Sequence, residues 1–246
     1  MQLELEQVYA DLWRSARTAF LRNAGQLDPL LQSGAPDARR GLTVIFRPGP
    51  AVAARVGAWL AEMATDEPAQ YCYTPAQLHV TVLSLFTATP DFGPYFARLP
   101  RYLAALEAAL ATIPPFAVAF RGVTASLSTV MVQGFPANDA LERARAALRT
   151  AIAAAGLGDD LDRRYRLVTA HLSALRLRAP LTAPARFVAR LEQARDLDFG
   201  VTQVDELLLV ANDWYMTPGV VEVVRCYSLT STQPVSAITR RSALTA

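Results

Sequence analysis

The sequence has no lysine: all 24 basic positions are arginine, set against 22 acidic residues, and the net charge of +2 is too small to attract polyanions at large. An arginine site for an individual phosphate stays open, because the guanidinium fork suits phosphate oxygens. Cysteine is nearly absent as well. Cys72 and Cys226 are too few and too far apart for a disulfide scaffold or a zinc site. No apolar run approaches the roughly 20 residues of a membrane span. The acidic, amphipathic start MQLELEQVYADLW also lacks the basic and apolar blocks of a secretory signal. The expectation is a cytoplasmic protein with free thiols and no membrane association. GxSxG, GxGxxG and phosphate-loop patterns are missing too, and with them the sequence signatures of an esterase elbow or a common nucleotide loop.

What remains is ordinary in bulk and specific in detail. With 52% hydrophobic and 19% charged residues over 246 positions, the chain can bury a core as one large domain or two small lobes. Val8, Leu12, Ala16 and Phe20, widened by Leu5, Tyr9 and Trp13, predict an amphipathic helix over 3–22. QLDPLLQSGAPDARRG follows in the manner of a linker. Then GLTVIFRP predicts a strand stopped by Pro48, and AVAARVGAWLAEMA a helix with Val52, Val56, Trp59, Leu60 and Met63 on one face.

About ninety residues on, the order repeats. TVMVQGFP predicts a strand stopped by Pro136, and NDALERARAALRTAIAAAG a helix, with Asp139 and Glu142 spaced as a capping box and Gly156 where the helix ends. Each unit runs into a strand bearing one of the only two histidines, in QLHVTVLSLF and TAHLSALRL. Pro48 precedes His79 by 31 residues and Pro136 precedes His171 by 35, so the histidines hold equivalent places in two similar units. A helix and strands follow each: RYLAALEAALATI and FAVAFRGVTA after the first, PARFVARLEQARDL, VDELLLVAND and VVEVVRCYSL after the second. The fold class is α+β, one domain with two lobes.

Both histidines are followed two places on by a hydroxyl, Thr81 and Ser173. Serine and threonine fill only 29 of 246 positions, so chance seldom supplies both. Residues i and i+2 of a strand share a face. If the lobes face each other, two imidazoles and two hydroxyls converge on one cleft. Near neutral pH one imidazole can accept a proton while the other donates one. The hydroxyls can donate hydrogen bonds to the non-bridging oxygens of a phosphodiester. Neither histidine strand carries Asp or Glu, so the pattern points to no metal site and no cofactor.

HVT at His79–Thr81 and HLS at His171–Ser173 resemble the paired His-x-Thr/Ser motifs of the two-histidine (2H) phosphoesterase superfamily. The likeness covers roughly Leu42 to Leu229, and PPFAVAFRGV and VVEVVRCYSL are similar to that family's later strands. It implies two pseudo-symmetric, mainly antiparallel sheets with helices on their outer faces and a central cleft. The organisation expected is an N-terminal helical extension and linker over 1–40, the two-lobed domain over 41–229 and a tail over 230–246, in a monomer.

In the bacterial RNA 2',3'-cyclic phosphodiesterases, also called 2'-5' RNA ligases, the implied reaction is metal-independent opening of a 2',3'-cyclic phosphate, on RNA ends or nucleotides, to a 2'-phosphate. The resemblance gives His79 the acid role and His171 the base role, with Thr81 and Ser173 on the phosphate; the acid and base roles can be exchanged. It also points to Arg176 as a phosphate ligand, although the odd spacing from His171 turns Arg176 away from the cleft unless the strand bulges. Two further loops offer substrate contacts: DDLDRRYRL, with Arg163, Arg164, Tyr165 and Arg166, and NDWYMTPG, with Trp214 and Tyr215. Alternatives are hydrolysis of another small cyclic nucleotide and a non-catalytic nucleotide- or RNA-binding module.

Overall fold

A computed structural model describes residues 2–162 and 166–229. In chain order its elements are helices α1 (Gln2–Leu21) and α2 (Pro29–Ser33), strand β1 (Arg40–Phe46), helix α3 (Pro50–Asp66), and strands β2 (Tyr71–Cys72) and β3 (Val80–Thr89). Helices α4 (Gly93–Phe96) and α5 (Leu99–Leu110) follow, then β4 (Phe116–Ala125), β5 (Thr129–Pro136), α6 (Ala140–Ala154) and β6 (Leu172–Arg176). The described chain closes with α7 (Pro184–Gln193), β7 (Asp198–Val204), β8 (Glu206–Asn212) and β9 (Glu222–Ser228). No described helix is long and apolar enough to cross a membrane. The expected tail over 230–246 lies outside the described residues.

The strands form one curled, antiparallel sheet in the order β7-β4-β5-β6-β3-β1-β8-β9, with β2 alongside β6. Its halves, β3-β1-β8-β9 and β6-β5-β4-β7, are related by the repeat and meet where β3 and β6 share the pair Val80↔Leu172. Each half borrows from the other unit. β4 follows the first histidine strand but pairs with β5, and β8 follows the second but pairs with β1. The halves are therefore interlocked. α3 packs on β6 and β7, α6 on β3, and α1 on β4 and α7.

The predicted face of α3 is the buried one: Val52, Val56, Trp59, Leu60 and Met63. Helix α6 ends at Gly156, whose φ of 64° is costly for any residue with a Cβ. The capping box expected at its start does not form. Asn138 Oδ1 takes the Ala140 amide at 3.0 Å, and Asp139 turns along the helix to Arg143 at 3.3 Å. Strand β7 escaped the sequence reading, because Phe199 interrupts its pairing with β4 and breaks the alternation of Thr202 and Val204.

The N-terminal segment is built into the body. Tyr9 on α1 is 1% exposed, and its hydroxyl donates to Gly134 O at 3.2 Å while receiving the Gly134 and Ala170 amides at 3.3 and 3.2 Å. A Cβ on Gly134 would come within 1.9 Å of Ala170 O, so this approach requires glycine. The stretch expected to act as a linker is tied down as well: Asp28 N donates to Leu177 O at 2.8 Å, and Asp28 Oδ1 caps α2 through the Leu30 amide at 3.1 Å.

Candidate active site

A 3₁₀ turn over Pro75–Gln77 delivers the chain to His79. Gln77, 3% exposed, is held on both sides: its Oε1 accepts from Thr74 N at 2.9 Å and its Nε2 donates to Tyr215 O at 3.0 Å. The Gln77 carbonyl lies 2.8 Å from His79 Nδ1. A carbonyl only accepts, so Nδ1 carries the proton and Nε2 is left for the cleft. His171 is also held from two residues back, its Nδ1 lying 2.7 Å from Thr169 Oγ1, a hydroxyl able to donate or accept.

Val80 and Leu172 are fully buried where β3 meets β6, so alternation turns their neighbours to the opposite face. Continued by one residue each way, the antiparallel register sets His79 opposite Ser173 and Thr81 opposite His171. Ordinary sheet spacing then puts the main chains of the two histidines on a diagonal of about 7–8 Å. All four side chains line a cleft of about 620 Å³.

Beyond this point both strands bulge. The β1–β3 register slips between Val44 and Ile45, leaving Val82 extra, and the β5–β6 register slips between Val130 and Met131, leaving Ala174 extra. Consecutive residues therefore point into the core, Val82 with Leu83 and Ala174 with Leu175. The next residue of each strand, Ser84 or Arg176, returns to the cleft. The bulge required to turn Arg176 inward is present. Thr43 lies opposite Ser84 and Thr129 opposite Arg176, and both threonines also line the cleft.

Thr43, Ser84 and Thr129 were missed in the sequence. HVTVLS and HLSALR match residue for residue, and so do TVIF and TVMV, but aligning the units on Pro48 and Pro136 shifts the second comparison by two places. Val8 and Leu12 of α1 reach the cleft rather than the core.

The other expected substrate contacts divide. Arg176 lines the cleft; its Nε donates to Tyr73 OH at 2.7 Å and its Nη1 lies 3.9 Å from Asp28 Oδ2. Trp214 lines it too, with the Arg39 and Arg176 guanidinium carbons 5.2 and 5.7 Å from its ring centre. Met216, at φ 54°, folds the intervening loop back onto Ile45 and Val210, which holds Trp214 over the cleft. Arg166 lies at the rim, 3.9 Å from Glu142. Tyr215 is not a stacking surface: it is 4% exposed and its hydroxyl donates to Asp28 Oδ1 at 2.7 Å. Tyr165, with Arg163 and Arg164, lies outside the described residues.

Because Asp28 competes for Arg176, Asp28→Asn is expected to tighten binding of inorganic phosphate several-fold at low salt. Calorimetry checks this; weaker binding would mean that Asp28 chiefly orients the arginine.

Burial lowers both imidazole pKa values to about 4. For His79 the Gln77 hydrogen bond offsets part of the effect and Arg47 and Arg176 add to it; for His171 the neighbouring His79, Arg145 and Arg176 add to it. Both are neutral in the empty cleft at neutral pH. The linkage follows in sign: an unfolded histidine takes up a proton near pH 6.5, while the folded ones resist until about 4. Stability therefore falls as pH drops through that window, by up to about 3 kcal/mol per histidine. Urea melts at pH 7 and 4.5 should show a larger loss for wild type than for His79→Gln/His171→Gln; equal losses would contradict the depressed values. Among the described residues no group of three His, Cys, Asp or Glu side chains is placed to hold a metal ion.

The comparisons agree with this geometry. The family model of the 2'-5' RNA ligase superfamily matches residues 48–213. Solved structures with the same fold include TT0787 of Thermus thermophilus, 21% identical over 78% of this chain and 97% of that one, with a TM-score of 0.54. E. coli LigT complexed with 3'-AMP is 15% identical over 78% and 99% of the two chains (TM-score 0.56), and LigT complexed with ATP 16% over the same shares (TM-score 0.51). At these identities the likeness is one of fold. No curated protein matches the chain.

Proposed function

The chain belongs to the 2'-5' RNA ligase superfamily of two-histidine phosphoesterases, and from that premise we propose that it is a metal-independent phosphodiesterase opening 2',3'-cyclic phosphates to 2'-phosphates. The observation that carries the reading is the register at Val80↔Leu172, which sets each histidine opposite the other motif's hydroxyl.

Water attacks phosphorus as His171 Nε2 accepts its proton. The bond from phosphorus to the 3'-oxygen breaks, and His79 Nε2 donates a proton to that oxygen. Thr81 and Ser173 donate to the non-bridging oxygens, where charge accumulates. The proton lost by His79 and the one gained by His171 are exchanged with solvent. The acid must be charged, although both imidazoles are neutral in the empty cleft. The bound phosphodiester anion supplies the difference by raising both pKa values. Arg176 binds phosphate, and Trp214 and Arg166 contact the substrate at the rim.

The nucleotides bound to E. coli LigT, 3'-AMP and ATP, support a nucleotide ligand here. Val8 and Leu12 come from α1, outside the matched residues, and their place in the cleft favours a nucleotide or the last residues of an RNA over a long strand. The test is incubation with 2',3'-cyclic nucleotides and a short cyclic-phosphate-ended RNA in EDTA. A 2'-phosphate product is expected; complete inertness toward all of them would favour the binding-module reading. A shallow dependence on salt is expected for a short substrate, whereas a steep one would indicate extended RNA.

A further inference from the structure

Helix α6 buries Leu141, Ala144, Leu148 and Ile152 on one stripe, and Arg145 lies on that stripe, 1% exposed and the largest fully buried side chain described. Buried charges are ordinarily matched by a carboxylate. Arg145 instead donates to four main-chain carbonyls: Nε to Val82 O at 3.0 Å, Nη1 to Val168 O at 3.2 Å, and Nη2 to Thr81 O at 3.0 Å and Thr169 O at 2.7 Å.

Of these carbonyls, Thr81 O belongs to the first motif and Val82 O directly follows it, while Val168 and Thr169 lead into the second motif. In a regular strand successive carbonyls point to opposite sides, but a bulge sets two neighbouring amides toward one partner strand and hence two neighbouring carbonyls away from it. The bulge at Val82 thus turns the Thr81 and Val82 carbonyls away from β1, and Arg145 receives both. Its other two acceptors lead into His171, and Thr169 itself holds His171 Nδ1. At the matching bulge in β6 the main chain does this work: Ala174 O accepts from Tyr73 N at 2.9 Å. The ladder itself joins β3 and β6 through the single pair Val80↔Leu172.

We propose that Arg145 is a positioning residue that sets the distance between the two His-x-hydroxyl motifs by fastening Thr81 and Val82 to the Val168–Thr169 segment. This rests on reading the cleft as the reaction site. Its cationic charge also faces His171, together with His79 and Arg176, and helps to hold that imidazole neutral in the empty cleft. Asp160, Asp162 and Arg166 are the other charged groups lining the cleft.

The test compares wild type with Arg145→Lys and Arg145→Met, each checked for folding, by kinetics and by NMR titration of the imidazoles. With two histidines in the chain, the titration has two signals to follow. In both variants kcat is expected to fall by about 10–100-fold with KM within about threefold, since a small misplacement of reacting groups costs rate rather than binding. His171 should titrate higher in the Met variant than in wild type, with the Lys variant between them and His79 less affected. Folded variants with wild-type kcat and both titrations unchanged would overturn the proposal. So would failure of both variants to fold, because stability alone would then explain the residue. The titrations need no turnover: an inactive wild type whose His171 signal still responds to Arg145 would count against the phosphodiesterase reading, not against the positioning role.

Discussion

His79→Ala and His171→Ala are each expected to lower kcat on a 2',3'-cyclic nucleotide by roughly 10²–10⁴-fold, the usual contribution of a positioned acid or base. The two act in one step, so the double variant should be little worse than the more damaged single one. Neither change should greatly weaken binding of inorganic phosphate, because Thr81, Ser173 and Arg176 remain in the cleft. Each imidazole is half-buried and lines the cleft, so alanine opens space there and not in the core, and both variants should stay folded. Progress curves in EDTA, with circular dichroism as the folding control, check these expectations. Near-wild-type turnover in either variant would remove that histidine from the reaction.

The second large effect belongs to the hydroxyls. Thr81→Val and Ser173→Ala are each expected to lower kcat by about 10²-fold, comparable to loss of one donor at an oxyanion site. The valine keeps the β-branched shape that β3 needs at this half-buried place. Ser173→Thr should retain activity, because it keeps the donor and adds the methyl that restricts its rotamer. If instead KM rises while kcat is unchanged, the hydroxyls bind ground state and transition state alike and do not stabilise developing charge. Steady-state kinetics on the three variants separate these outcomes.

Period-two alternation made the histidine–hydroxyl pairs legible, and the order strand, helix, histidine strand revealed the repeat. Alternation misleads where strands bulge. Val82 and Ala174 each add a residue, so strict counting turned Arg176 away and gave no reason to notice Ser84. Tyr215 looked equivalent to Trp214 in NDWY, yet its hydroxyl is taken by Asp28, nearly two hundred residues away in sequence. Such pairings between distant segments leave no local trace. Arg145 did leave one, as an arginine on the apolar stripe of α6, but composition made it easy to pass over in a chain whose every basic residue is arginine. The exchange of β4 and β8 between halves is likewise invisible locally, because both have the pattern of ordinary buried strands.

The most direct test of paired acid–base action is the pH dependence of kcat and kcat/KM for a 2',3'-cyclic nucleotide, measured in EDTA from pH 4 to 9. Two histidines in opposite protonation states predict a bell in kcat, whereas kcat/KM, which reports the empty cleft with both imidazoles near 4, should show the falling limb of its bell over this range. The kcat bell should lie at higher pH, because the bound anion raises imidazole pKa values that stand near 4 in the empty cleft. A flat kcat profile across this range, or activity abolished by the chelator, would contradict the account.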